Sequence, residues 1–235
     1  MPEIATLALA SDASLEGYWR LEDDFADAST NSYTLSASGS PVFVTGKFGK
    51  GIDLESTSSQ YAYIAAASCP NLRIVGAQTW VAWMNLESLA DGSNHRTIAG
   101  VLDPAGAHSY VLLRGSVVTT QKVDFGIAGL SATVSSDANP PTGEWVFIAA
   151  RFNGTNELAL WVNGTKKTQA VTGSQTAWNG DEGFGLGIAG GYAATQYMDG
   201  IVDDLAVFSK ALTDNEISGI YSASSGGGAF LLNFV

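Results

Sequence analysis

The side chains in this sequence best able to do chemistry are acids and aromatics set in short, turn-rich stretches. The densest acidic run is Glu22-Asp23-Asp24-Phe25-Ala26-Asp27, and a second pair, Asp203-Asp204, sits inside an apolar run. Glycosidic hydrolysis needs two carboxyl groups, an acid and a nucleophile or base, about 5 to 9.5 Å apart. The Gly-x-Ser-x-Gly elbow of acyl-transfer enzymes does not occur. Cys69 is the only cysteine, and His95 and His108 are the only histidines. Internal disulfides, redox pairs and Cys- or His-rich metal centres are therefore excluded. Sugar recognition would instead use aromatic faces that stack on pyranose or furanose rings, beside amides and carboxylates that bond hydroxyls. Trp178 lies in the turn-rich segment Thr176 to Gly183, Tyr192 and Tyr197 bracket the loop from Gly191 to Met198, and His95-Arg96 marks a third loop. Trp178, Tyr192 and Tyr197 are the expected glycan-contacting residues. Trp19, Trp80, Trp83, Trp145 and Trp161 fall in strand-like runs and are assigned to a core.

Positioning these groups falls to strands. Helical periodicity is nearly absent, while short apolar or alternating runs recur between Gly, Asn, Asp and Pro turns. The clearest strands cover 17–21, 51–54, 61–65, 79–86, 97–101, 110–114, 123–127, 145–152, 157–162, 184–188 and 200–208. Asn153-Gly154 and Asn163-Gly164 flank Leu158-Ala159-Leu160-Trp161-Val162. Asn-Gly accepts the positive φ of tight hairpin turns, so an antiparallel meander is expected from Trp145 to about Thr168. In the last strand Asp203 shares alternation parity with Ile201, Leu205 and Val207, which takes its carboxylate out of water and demands a partner. Asp204 falls on the opposite face. One short helix follows: Thr213-Asp214-Asn215-Glu216 has capping-box spacing, and Ile217, Ile220 and Tyr221 share a face.

The 235 residues are 46% hydrophobic, 10% aromatic and only 14% charged, with 27 glycines. That composition fits an all-β chain with a substantial core and many turns. Twenty-three acids against eleven bases give a net charge of −12, with a pI near 4.3. Phosphate backbones and anionic membranes are repelled, so nucleic acid and membrane insertion are not expected. No run approaches the roughly 20 apolar residues of a membrane span. Met1-Pro2-Glu3-Ile4-Ala5 has neither a basic nor a sustained apolar region, so export by the usual signal is not expected.

The segment from Met198 to Ile217, with Gly200-Ile201-Val202-Asp203-Asp204-Leu205-Ala206-Val207-Phe208 at its heart, resembles the closing motif of laminin-G-like, concanavalin-A-like jelly-roll domains. Gly17-Tyr18-Trp19-Arg20-Leu21, Gly46-Lys47-Phe48-Gly49-Lys50-Gly51, Thr79 to Asn85 with Trp83, and Gly143-Glu144-Trp145 with Leu160-Trp161-Val162-Asn163-Gly164 match further pieces in the family's order. The resemblance implies a two-sheet antiparallel β-sandwich with one short C-terminal helix. It covers about Leu15 to Ala223, leaving residues 1–14 as an arm or edge strand and 224–235 as a Gly-rich linker and apolar tail. It also implies where function could reside. The family's glucanases carry Glu-x-Asp-x-x-Glu on one strand; the acidic run here ends in Asp27 and lies in a loop, so no enzymatic activity is expected. Asp27-Ala28-Ser29-Thr30-Asn31 resembles the family's Asp-Ser-Ser-Gly-Asn loop, with Thr30 in place of Gly. In several relatives that loop and the Asp of the closing strand hold calcium, which would make Asp27, Asn31 and Asp203 ligands of a structural ion; satisfaction by backbone N–H groups or basic side chains is the alternative.

The fold carries lectins, adhesion modules, hydrolases and virion proteins alike, so function rests on sites. The tail after Gly228, Ala229-Phe230-Leu231-Leu232-Asn233-Phe234-Val235, is apolar for a terminus. It reads equally as a last strand on its own sheet and as a peg in which Phe230, Leu231, Leu232 and Phe234 dock on a partner. The favoured expectation is a non-enzymatic binding and display module on a larger assembly, a phage or virus decoration, fibre or tail component at the virion surface. Its partners would be other subunits, a second copy included, and a cell-surface glycan. A free or exported calcium-dependent carbohydrate-binding module is the other reading.

Overall fold

The computed structural model describes residues 12–92, 94–102, 110–189 and 196–225. In chain order the strands are β1 (Leu15–Trp19), β2 (Ser36–Ser38), β3 (Val42–Thr45), β4 (Lys50–Leu54), β5 (Tyr61–Ile64), β6 (Gln78–Leu86), β7 (Arg96–Leu102) and β8 (Tyr110–Ser116). There follow β9 (Asp124–Ile127), β10 (Val134–Ser135), β11 (Trp145–Phe152), β12 (Glu157–Val162), β13 (Thr165–Ala170), β14 (Gly183–Leu186), β15 (Gly200–Phe208) and the helix α1 (Asp214–Ser224). They form two antiparallel sheets. One has the order β13-β12-β11-β6-β15-β4-β3 with β1 also on β15; the other runs β10-β9-β8-β7-β14-β5-β2. The expected sandwich and its single short helix are present.

The meander forms as the Asn-Gly pairs require. Asn163 and Gly164 both take positive φ, 47° and 80°, in a two-residue turn between β12 and β13. The Asn153 turn is longer: its side-chain oxygen accepts the N–H groups of Thr155, Asn156 and Glu157. The strands missed in the sequence, β2, β3 and β10, are short and lie at or near sheet edges. Edge strands bury little, so their apolar alternation is weak.

Between the sheets, Phe184 stacks on Trp19 with ring centroids 4.6 Å apart and on Trp80 at 6.0 Å. Both indoles are satisfied, Trp19 Nε1–H donating to the Tyr33 carbonyl and Trp80 Nε1–H to Gln78 Oε1. The eight-stranded sheet is buried on its outer face too. There Trp83, Phe147 and Phe208 pack beneath Ile217 and Ile220 of α1, with Phe48 alongside. Burial on both faces explains why β6, β11 and β15 read as continuous apolar runs rather than alternating ones. The capping box is formed: Glu216 N–H donates to Thr213 Oγ1, and the Glu216 carboxylate accepts from the Thr213 N–H.

A bulge in β15 changes the parity expected for Asp203. Asp203 lies opposite Trp83 and Ala206 opposite Val81, so Asp204 and Leu205 together face one residue of β6; Asp204 adopts φ 50°. The extra residue reverses alternation. Asp203 therefore faces outward with Trp83, not inward with Leu205 and Val207. It is nonetheless fully buried, because the Gly46–Gly49 turn between β3 and β4 covers it and Phe48 N–H donates to its Oδ2 at 2.9 Å.

Candidate functional site

The rim where β15 begins gathers three turns. Gly200 pairs with Leu54 at the end of β4 and with Leu86 at the end of β6, so the turns after those strands and the approach to β15 meet at one end of the sandwich. Gly200 takes φ 130°, and a Cβ there would lie 2.2 Å from the Asn85 carbonyl oxygen. Only glycine permits the close approach that lets Glu87 N–H donate to the Asp199 carbonyl at 2.9 Å.

These turns enclose a polar cleft of about 350 Å³. Ser56, Thr57 and Ser59 line it from the β4–β5 turn, Ser88, Asp91 and Asn94 from the β6–β7 loop, and Arg96 from the start of β7. Tyr197 and Asp199 complete the wall. Asp199 organises the floor: its carboxylate accepts from Ser56 N–H at 3.1 Å and from the Ser88 hydroxyl. The Arg96 guanidinium donates to Ser88 Oγ from Nε at 3.2 Å and from Nη2 at 2.7 Å, and lies 3.8 Å from Asp199. Burial works against the Asp199 charge, yet Ser88, Ser56 and Arg96 hold its carboxyl below the ordinary range. The half-buried Tyr197 ring stacks on Tyr61 at 5.9 Å, and Tyr61 in turn lies 5.8 Å from Tyr63, which is exposed. An aromatic run thus leads to a cleft rich in hydroxyl and carboxyl groups.

Beside the cleft, Asp53, Glu55 and Glu87 bring carboxylate oxygens within 4.8 Å of one another. Burial and then Asp199 push the Asp53 carboxyl up, and burial followed by Asp53, Glu55 and Asp199 does the same to Glu87. None of the ion pairs among the described residues reaches these three.

Of the expected glycan contacts, Tyr197 lines the cleft. Trp178 does not: it is half-buried against the inter-sheet core, and its indole N–H donates to the Ile74 carbonyl at 3.0 Å. Pairing of Phe184 with Ile64 and of Leu186 with Ala62 places the Trp178 segment and Tyr197 at opposite ends of β5 and β14. Tyr192 and the tail residues Phe230, Leu231, Leu232 and Phe234 lie outside the described residues.

Asp27 and Asn31 both hold the 27–33 loop against β1, whereas Asp203 serves the Gly46–Gly49 turn. Asp27 accepts four hydrogen bonds, from the N–H groups of Tyr18, Ser29 and Tyr33 and the Ser29 hydroxyl. Those donors fill the roughly four lone-pair directions of a carboxylate. Asn31 Oδ1 accepts from Asn71 and its amide donates to Glu16. Asp203 Oδ1 is buried without a hydrogen-bond partner. As hydrogen-bonded, the three do not present the converging free oxygens that calcium requires, and no role for the ion is derived from them.

Comparison with known proteins agrees with the architecture. The chain superposes on domain 4 of AbnA, an extracellular arabinanase from Geobacillus stearothermophilus seen in complex with arabinotriose, with TM-score 0.72 and 16% identity over 90% of this chain and 100% of that one. It also superposes on the receptor-binding domain of botulinum neurotoxin mosaic serotype C/D, with TM-score 0.66, 13% identity and coverage of 89% and 51%. The binding domain of Paraclostridial Mosquitocidal Protein 1 gives TM-score 0.62, 13% identity and coverage of 91% and 53%. The chain spans about half the length of the two toxin chains. No curated protein matches the sequence. A model of the concanavalin A-like lectin/glucanase superfamily matches residues 57–218, more than half of the sequence, and the chain belongs to that superfamily.

Proposed function

We propose that the chain is a glycan-binding module without catalytic activity of its own, and that the rim cleft is its sugar site. The observation that carries this reading is Tyr197, stacked on Tyr61 at the edge of a cleft lined by hydroxyls, amide and carboxylates. A sugar ring presents an apolar C–H face and a belt of hydroxyls, which suit an aromatic ring and a polar wall respectively. The arabinanase domain captured with arabinotriose supports the reading, since its fold spans the same length of chain. On a glycan array and by calorimetry the wild type is expected to bind an oligosaccharide, and Tyr197→Ala to weaken that binding about tenfold. Binding indifferent to the substitution, or no binding to any glycan, overturns the proposal.

Display on a larger assembly such as a virion is a separate proposal, resting on the apolar tail rather than the cleft. Deletion of residues 226–235 is expected to release the module from its particle while leaving its melting temperature unchanged. Retention on the particle removes the display role.

A further inference from the structure

We infer that the rim cleft takes uncharged glycans and rejects carboxylated ones such as sialylated or uronic-acid oligosaccharides, an inference that rests on the sugar-site reading above. A ligand carboxylate exchanges its hydration for a cation or a group of free N–H donors. Of the eleven lysines and arginines in the chain, Arg96 alone lines the cleft. It is 4% exposed, and its charge is already engaged beneath the wall by Ser88 and Asp199. Six of the other ten are held in ion pairs away from the cleft: Lys50 pairs with Asp23, Arg114 with Asp124, Arg151 and Lys166 with Asp214, Lys167 with Asp137, and Lys210 with Asp12 and Glu216. Lys47 lies over the Trp83 ring at 4.3 Å.

The cleft is therefore negative. Asp91 and Asp199 face it against the single Arg96, and Asp53, Glu55 and Glu87 stand close enough for Asp199 to act on the carboxyls of Asp53 and Glu87. A concave wall on which acids outnumber the one base concentrates that field on whatever enters. The same acceptors are well matched to sugar hydroxyls, which can donate to Asp91, Asp199 and the serine oxygens without bringing charge.

Matched pairs test the inference: lactose against sialyllactose and galactotriose against trigalacturonate, each measured by calorimetry at low and high salt. Each carboxylated member is expected to bind at least about tenfold more weakly than its neutral match at low ionic strength. The gap should close as salt screens the field, and the Glu55→Gln/Glu87→Gln double variant should narrow it at low salt. Equal or tighter binding of the carboxylated members, still lost on Tyr197→Ala, overturns the charge selection and leaves the sugar site standing. Binding of either class unaffected by Tyr197→Ala overturns the site itself. Should the double variant fail to fold by circular dichroism, the salt dependence of the wild-type ratio decides: a ratio independent of salt overturns the inference.

Discussion

Asp203 has no exposed surface; Phe48 N–H donates to its Oδ2, while its Oδ1 has no hydrogen-bond partner. Burial pushes its carboxyl up to about 8 against the pull of the Phe48 N–H, and the charges of Asp204 and Glu22 push the same way. The folded chain thus holds the proton more tightly than the unfolded chain, whose Asp titrates near 3.9. The stabilisation that follows is fully present below about pH 4 and is lost as pH rises to about 8. Asp203→Asn preserves the shape and removes the titration. Urea denaturation from pH 4 to 9 should show the wild type losing stability across that window, with the variant much flatter and the more stable of the two at pH 9. Parallel curves would show that Asp203 does not titrate in this range. Asp27 makes a useful structural contrast: it is nearly as buried, yet four donors meet its two oxygens, and through them it organises the 27–33 loop.

At the scale of elements, α1 acts as a lid on the outer face of the eight-stranded sheet. Its capping box fixes where it starts, and Ile217 and Ile220, both fully buried, close over Trp83 and Phe147. Tyr221 adds its ring at 5.2 Å from Phe147. Ile217→Ala should cost about 2 to 4 kcal/mol through lost burial and the cavity left behind. Urea unfolding followed by tryptophan fluorescence measures this, and a loss well under 1 kcal/mol would mean the helix is not docked as described. The bulge in β15 is the complementary element. One edge of β15 is shared end to end by β4, which pairs with Gly200 to Val202, and by β1, which pairs with Leu205 to Phe208. Asp203 and Asp204 fall at the junction, where the bulge sets Asp203 on the outer face with Trp83: the former meets the Gly46–Gly49 turn, and the Tyr18 hydroxyl donates to the latter. Strand parity counted along the sequence cannot register an inserted residue, which is why Asp203 was expected on the other face.

Over the whole molecule, the sandwich, the Trp145-to-Ala170 meander and the capped helix were legible because their causes are local. Asn163-Gly164 accepts two positive φ values, Thr213 and Glu216 are three residues apart, and β-branched and aromatic runs announce strands. The rim cleft was not legible beyond Tyr197 and the His95-Arg96 loop. Ser56 and Asp199, which share a hydrogen bond, are 143 positions apart. Their neighbours are serines, asparagines and acids of the kinds that any turn uses. Trp178 misled for the opposite reason: its turn-rich surroundings promised exposure, and only the fold supplied the Ile74 carbonyl and the core edge that half-bury it. By itself the sequence determined the fold class, the acidic low-charge surface and the absence of a cysteine or histidine metal centre, since composition and short-range pattern settle these. Tertiary structure alone decided which acids meet a donor, which aromatic faces a cleft and which charge is left over. Each of those depends on the register of β15 against β4 and β6, and that register is set by burying both faces of one sheet at once.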